Sequence, residues 1–449
     1  MKKQTLISGA TTVAVGGFVA KLIGALYRIP LTNLIGGKGI GLYQMAYPFY
    51  CLLLTVSATG IPSSIATLVA SERAKGEGAK RVLPTAMKLF LSVGTVGTAV
   101  MILLSKTLAL AQGESGLTYG YIALAPSVFL VSAISVFRGW FQGLKDMRPT
   151  AVSEVVEQLV KVGVGLFTAY LYRADLQKAV TCLLFSVSVS ELVALIVMIM
   201  LYKRVPATVL LKNDRGRVEV KRVLSLSLFV TLSSALLPFS NLVESVLLVR
   251  LMGKYTEQAI ALYGLFSGGA VTIISLPVSV CYGLAAASVP AVSEGRGAGK
   301  KVGKKVWISL ALTLLVSLPC ALGLHFFAPT AVGVFYRALS GEERGILIEL
   351  VRKFSMSAVT LSCLQTASAC LTARGKPKLS ALAVGVGVVV KIAADYWLVS
   401  KPEFSVFGAV IATNLCYLTA FTLTLVFHLW LNKKEKIAVK AQINEKEKV

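Results

Sequence analysis

Twelve apolar stretches, each about the length of a bilayer span, constrain this chain more than any other feature. They run at about 5–27, 41–63, 82–104, 117–137, 150–172, 179–201, 223–247, 259–282, 306–328, 346–370, 380–400 and 406–431. A membrane crossing needs about 20 mostly apolar residues. The composition agrees: 55% of the 449 residues are hydrophobic and 15% are charged, which is too apolar for a soluble chain of this size. In lipid each backbone group must be bonded within its own helix or a closed barrel. The runs are too long and too continuously apolar for barrel strands. The sequence therefore predicts an all-α polytopic membrane protein.

The twelve spans read as one six-helix unit written twice. Ser64-Ile65-Ala66-Thr67-Leu68-Val69-Ala70-Ser71-Glu72 ends one span, and Ser288-Val289-Pro290-Ala291-Val292-Ser293-Glu294 echoes it. Gly41-Leu42-Tyr43 is echoed by Ala261-Leu262-Tyr263, and Lys145-Asp146-Met147-Arg148-Pro149 by Ala373-Arg374-Gly375-Lys376-Pro377. The offsets are 220 to 228 residues and keep their order. Two similar lobes that rock against each other are a common plan for alternating-access transporters. The expected organisation is a six-helix lobe at 1–201, a cytoplasmic basic linker at 202–222, a second pseudo-symmetric lobe at 223–431, and a charged cytoplasmic tail at 432–449.

The net charge of +25 does not point to nucleic acid, because of where the charge lies. With the N-terminus assigned to the cytoplasm, thirty of the 46 Lys and Arg residues fall on that side. This is the positive-inside bias, and it predicts a cytoplasmic-membrane protein with both termini inside. Anionic membrane lipids are sufficient partners for such loops. Met1-Lys2-Lys3 and the run after it read as an uncleaved first helix, since no convincing small-residue cleavage site follows. The seven cysteines, odd in number and without a C-x-x-C pair, read as packing residues.

No enzyme signature emerges. Gly36-Gly37-Lys38-Gly39-Ile40-Gly41 resembles a phosphate loop, but no Gly-Lys is followed by Ser or Thr, so it reads as a tight turn. His325 and His428 stand alone among apolar residues, leaving a zinc site or Ser-His-Asp triad little to draw on. The expectation is a non-enzyme with no cofactor or metal, driven by an ion gradient, the membrane potential or its substrate's own gradient.

Charge inside the spans carries the chemistry, because such groups are costly in lipid and face protein or water. Lys21 and Arg28 share a face of the first helix, close to Gly17 and Gly24. Lys21 has no acid within one turn, which suggests an anionic ligand; diphosphate suits Lys and Arg donors. Helix five carries Glu154, Glu157, Gln158 and Lys161 on one face, with Glu157 and Lys161 at pairing distance i, i+4. Helix seven carries Ser240, Asn241 and Glu244, with Arg250 near its end. Helix eleven carries Lys391 and Asp395, again i, i+4. Arg138 reads as a positive-inside anchor closing helix four, and Glu191 lies within helix six.

Phe137-Arg138-Gly139-Trp140-Phe141-Gln142-Gly143-Leu144-Lys145-Asp146-Met147-Arg148-Pro149-Thr150-Ala151 runs on into Val155-Val156-Glu157-Gln158-Leu159-Val160-Lys161-Val162. This stretch resembles the stage V sporulation protein B group of polysaccharide flippases. Tyr27-Arg28-Ile29-Pro30-Leu31-Thr32-Asn33-Leu34-Ile35-Gly36 and Gly41-Leu42-Tyr43-Gln44-Met45-Ala46-Tyr47-Pro48 match the same group. The group belongs to the multidrug/oligosaccharidyl-lipid/polysaccharide exporter (MOP) superfamily, with MurJ-type lipid II flippases as relatives.

The resemblance implies a MATE-like fold of two six-helix lobes around a cation-lined cavity. It implies passage of an undecaprenyl-diphosphate-linked saccharide, such as lipid II or a related wall glycan, from inner to outer leaflet. Lys21, Arg28 and Arg250 are the matching diphosphate contacts, and Asn241 is grouped with them. Glu154, Glu157, Glu244 and Asp395 are candidate proton or sodium couplers, or structural partners of Lys161 and Lys391. Many relatives have fourteen helices with a lipid-tail groove; twelve spans leave no pair for it. Two other readings remain open: a cation-coupled multidrug exporter of the MATE type, and a non-transporting scaffold for cell-wall or spore-cortex synthesis proteins.

Overall fold

The computed structural model describes residues 6–56, 61–74, 82–205, 220–297 and 302–446, with side-chain placement described for fewer. The basic stretch 206–219, the side chain of Lys21 and the side chains beyond residue 433 lie outside what is described.

All twelve expected spans are largely helical over their described residues. The first half comprises α1 (Leu6–Leu54), α2 (Ile61–Ala74), α3 (Val82–Ala111), α4 (Leu117–Leu124), α5 (Pro126–Gly143), α6 (Arg148–Leu171) and α7 (Leu176–Lys203). The second comprises α8 (Val220–Met252), α9 (Ala259–Gly264), a π-helical turn (Leu265–Ala270), α10 (Val271–Gly297), α11 (Gly303–Phe326), α12 (Ala328–Phe335), α13 (Gly341–Phe354), α14 (Ser357–Ala373), α15 (Pro377–Val399) and α16 (Ser405–Lys446). Among the described residues eight helices are long and apolar enough to cross a membrane unaided. α6 is not one of them, because Glu154, Glu157 and Lys161 interrupt its apolar run.

The expected spans are refined at two places. The first two form one helical element bent at Gly36 (φ 67°, ψ −178°). That backbone region is open to glycine and strained for other residues. The glycine run there is thus the tight turn its sequence suggests, a kink joining the two helical parts of α1. The tenth span is two helices, α13 and α14, meeting at Ser355-Met356. α13 is amphipathic, with Glu342 and Glu343 in its first turn and Arg352 and Lys353 in its last, which suits the helix dipole.

The chain divides into two compact units: residues 1–272 with 335–344, and residues 273–334 with 345–449. In the first unit, α2, α3, α5 and α7 share a core of Ile65, Val69, Phe90, Phe137, Trp140, Phe141 and Met198. The Trp140 ring packs edge-on to Phe141 and Tyr202 at 5.1 and 5.2 Å. Gly139 makes the crossing close: a Cβ there would sit 2.7 Å from the Pro62 Cα and carbonyl oxygen. Phe137-Arg138-Gly139-Trp140-Phe141 is therefore largely a packing motif, with Arg138 as its exception.

Two of the sequence echoes touch within this unit. A Cβ at Gly264 would lie 2.6 Å from the Gly41 nitrogen. Gln44 Nε2 donates to the Ser267 carbonyl at 3.0 Å, and Tyr263 Oη donates to the Gln44 carbonyl at 3.3 Å. Residues 335–344 also return to α1 at its bend. Asn33 Nδ2 donates to the Phe335 carbonyl at 2.7 Å, and Gly37 N–H donates to Glu343 Oε1 at 3.3 Å.

In the second unit α14 is rich in Ser, Thr, Ala and Cys and packs with α11 and α16. Thr313 and Thr366 hydroxyls meet at 2.9 Å. Arg374, at the end of α14, is buried and donates to His428 Nδ1 at 3.2 Å and to Asn432 Oδ1. His428 Nε2 faces the Ala367 carbonyl at 2.9 Å, so it carries the proton and leaves Nδ1 to accept.

Candidate functional site

Arg28, Arg138, Glu154, Glu157, Lys161 and Glu191 lie on α1, α5, α6 and α7, which pack together in the first unit. α1 and α6 approach closely because α1 lacks side chains there. Cβ atoms at Gly17 and Gly24 would sit 3.7 Å from Glu154 Oε2 and 3.1 Å from Gln158 Oε1. The two glycines thus admit the polar face of α6, the neighbour their spacing called for.

Glu157 is held at both carboxylate oxygens. Its Oε2 lies 3.0 Å from Arg138 Nη2, and both side chains are about 15% exposed (14% and 16%). Its Oε1 accepts from Gln158 Nε2 at 2.9 Å, while Arg138 Nε donates to Ser153 Oγ at 3.0 Å. This corrects two expectations. Arg138 is a buried partner from α5 and not a surface anchor, and Glu157 pairs with it and not with Lys161. Helical spacing puts Glu157 and Lys161 on one face, but α5 brings a planar guanidinium to the carboxylate first.

Lys161 is 7% exposed, with Glu157, Glu191 and Arg28 within electrostatic reach. Glu191, on α7, is 3% exposed; its Oε1 accepts from Tyr50 Oη at 3.2 Å. Arg28 is half-buried, and its guanidinium makes no ion pair or hydrogen bond among the described residues. Tyr43, Tyr47 and Cys51 of α1 lie within its electrostatic reach. Tyr43, Tyr47 and Tyr50 form an aromatic row along α1, with ring centroids 5.3 and 5.5 Å apart.

The other candidates lie on α8 and α15. Arg250 is exposed at the end of α8 and its Nε donates to the Ala111 carbonyl. Asn241 is exposed and Glu244 buried on the same helix. Lys391 and Asp395, in the second unit, are buried and paired at 3.9 Å, as their spacing predicts. In the sequence, Arg138 and Glu191 are marked for this cluster only by being charges at or within apolar runs.

Comparison with known proteins sets this geometry in a family. Residues 6–296 match the polysaccharide biosynthesis protein family, and the match takes in α1 to α7 with the whole charged cluster. The chain belongs to that family. Within the polysaccharide biosynthesis proteins, it is 28% identical over 430 residues to stage V sporulation protein B of Bacillus subtilis, covering 92% of this chain and 81% of that one. It is 23% identical over 446 residues to the lipid II flippase MurJ of the same organism, with the same coverages, 92% and 81%. Its fold is that of a multidrug resistance MATE family transporter of the MOP superfamily solved in an inward-facing conformation. That structure has a TM-score of 0.79 at 16% identity, covering 93% of this chain and 95% of that one. Family, relatives and fold together make this a multi-pass membrane transporter or flippase of the MOP superfamily.

Proposed function

We propose that the chain flips an undecaprenyl-diphosphate-linked saccharide, a peptidoglycan precursor or related wall glycan, from the inner to the outer leaflet of the bacterial cytoplasmic membrane. The observation that carries this reading is Arg28. It is a half-buried guanidinium on a bilayer-spanning helix, without an ion pair among the described residues. Among the described basic groups of the cluster, Arg138 is ion-paired and Lys161 is buried within electrostatic reach of Glu157 and Glu191, which makes Arg28 the first candidate donor for an anionic head group. Lys21, seven residues earlier on α1, is two helical turns away and shares its face.

The diphosphate enters beside Arg28 while the polyprenyl tail stays in lipid. Guanidinium contacts offset the cost of taking the phosphates out of water. Both termini are assigned to the cytoplasm, from the distribution of Lys and Arg. The relatedness to MurJ and stage V sporulation protein B supports a wall glycan over a drug.

The test is complementation of cells depleted of their lipid II flippase, with outer-leaflet precursor measured directly. The chain should restore wall synthesis. Arg28→Ala should fail while accumulating normally, since a charge-assisted contact contributes roughly 1.5–3 kcal/mol. Full activity of Arg28→Ala would overturn the assignment, and drug efflux without precursor movement would favour the multidrug exporter.

A further inference from the structure

We propose that Glu191 is a proton-binding site, and that its protonation strengthens binding of an anionic head group beside Arg28. The inference rests on the reading of Arg28 given above and adds a regulating group to it.

Glu191 is 97% buried, and its two oxygens differ: Oε1 accepts from Tyr50 Oη, while Oε2 has no hydrogen-bond partner among the described residues. A buried ionised carboxylate calls for donors on both oxygens. The nearby donors leave that oxygen unpaired among the described residues. Arg138 gives Nη2 to Glu157 and Nε to Ser153. Lys161 forms no ion pair with a described residue. Glu157, by contrast, has both oxygens occupied, by Arg138 and by Gln158. Of these two acids, Glu191 is therefore the one with an oxygen open to a proton.

The groups facing Glu191 are Tyr50 from α1, Arg138 from α5, and Glu157 and Lys161 from α6. Glu154 lies within electrostatic reach of Arg138, and Arg28 within reach of Lys161. The occupant is a proton and not a metal cation. A guanidinium and an ammonium repel a cation here, and one hydroxyl with one carboxylate oxygen is a poor ligand set.

The charges then define the coupling. Among the described side chains of the cluster, Arg28, Arg138 and Lys161 balance Glu154, Glu157 and Glu191 when all are ionised. One proton on Glu191 leaves the set with a charge of +1, and that surplus favours an anion. Linkage is reciprocal, so a bound anion raises the affinity of Glu191 for its proton by the same factor.

The experiment measures binding of farnesyl diphosphate to the purified full chain in neutral-lipid nanodiscs, from acidic to mildly alkaline pH. Affinity of the native chain should strengthen on acidification, on the order of tenfold beyond the change seen in Glu191→Gln. Glu191→Gln mimics the protonated state, keeps an acceptor for Tyr50, and cancels the probe's own titration. Infrared spectra should show a protonated carboxyl band that the variant loses. Equal pH slopes in the two proteins, or an unchanged band, would overturn the role of Glu191 and leave the flippase reading standing. Equal, pH-independent failure of both proteins to bind the probe would instead overturn the Arg28 reading on which the coupling depends.

Discussion

Glu157→Gln should destabilise the protein, and loss of its partner Arg138 should rescue it. The pair is 3.0 Å long and mostly buried, so removing the carboxylate leaves a guanidinium inside the helix bundle. Breaking a buried pair from one side costs about 3–5 kcal/mol. Arg138 keeps its bond to Ser153 Oγ, so the lower end, about 3 kcal/mol, is expected here. Arg138→Met should cost a similar amount. The double variant Arg138→Met with Glu157→Gln should recover much of it, giving a coupling energy of about 2 kcal/mol. The parallel cycle with Lys161→Met should give less than about 1 kcal/mol, since no Glu157–Lys161 ion pair forms.

The assay is denaturant unfolding of the purified protein, supported by abundance in the membrane. It distinguishes two partners for one acid, and sequence spacing and structure name different ones. A larger coupling to Lys161 than to Arg138 would refute the packing of α5 against α6 described above. Normal stability in all variants with loss of transport would refute the structural role and make Glu157 a coupling group.

Three further outcomes are expected. Cysteines placed at Asp175 should label from outside the cell, and those at Lys145 and Lys376, both exposed, only after permeabilisation; outside labelling at Lys145 would break the assigned topology. Gly139→Val should cost about 1–3 kcal/mol by overpacking against Pro62 and show as reduced membrane abundance, whereas normal abundance would refute the close α2–α5 crossing. His428→Ala should lower thermal stability by removing the acceptor for buried Arg374, and His428→Gln should restore part of the loss if the contact is a hydrogen bond.

The spans were legible because membrane insertion writes itself into composition: about 20 apolar residues in a row have few alternatives. The Lys391–Asp395 pair was legible for a local reason, since both partners lie on one helix, one turn apart. What the sequence hid depends on packing between helices. Arg138 and Glu157 are 19 residues apart on different helices, and their meeting depends on how α5 and α6 rotate against each other. The contact of Tyr263 with Gln44, where the two echoed segments meet, was hidden for the same reason, though the repeat itself was visible. Glycine spacing was more informative than the charges alone: Gly17 and Gly24 announced a close neighbour, and the neighbour is the acidic face of α6.

The balance of charge in the first unit bears on what the protein can carry. A carrier of cationic drugs needs an acid that is not already neutralised by protein. Here Glu157 is held by a guanidinium, and Glu191 faces both Arg138 and Lys161. Adding a proton to this cluster moves it further towards positive charge, away from what a cationic substrate needs. Arg28 makes no ion pair among the described residues, and α1 contributes no carboxylate between Leu6 and Leu54. On the proposed reading an anionic head group is the ligand seated beside Arg28, since a diphosphate offers the several acceptor oxygens that a planar guanidinium can bind. The same reasoning sets the order of effects in mutants: loss of Arg28 should weaken head-group binding at every pH, while loss of the Glu191 carboxylate should change only how binding depends on pH.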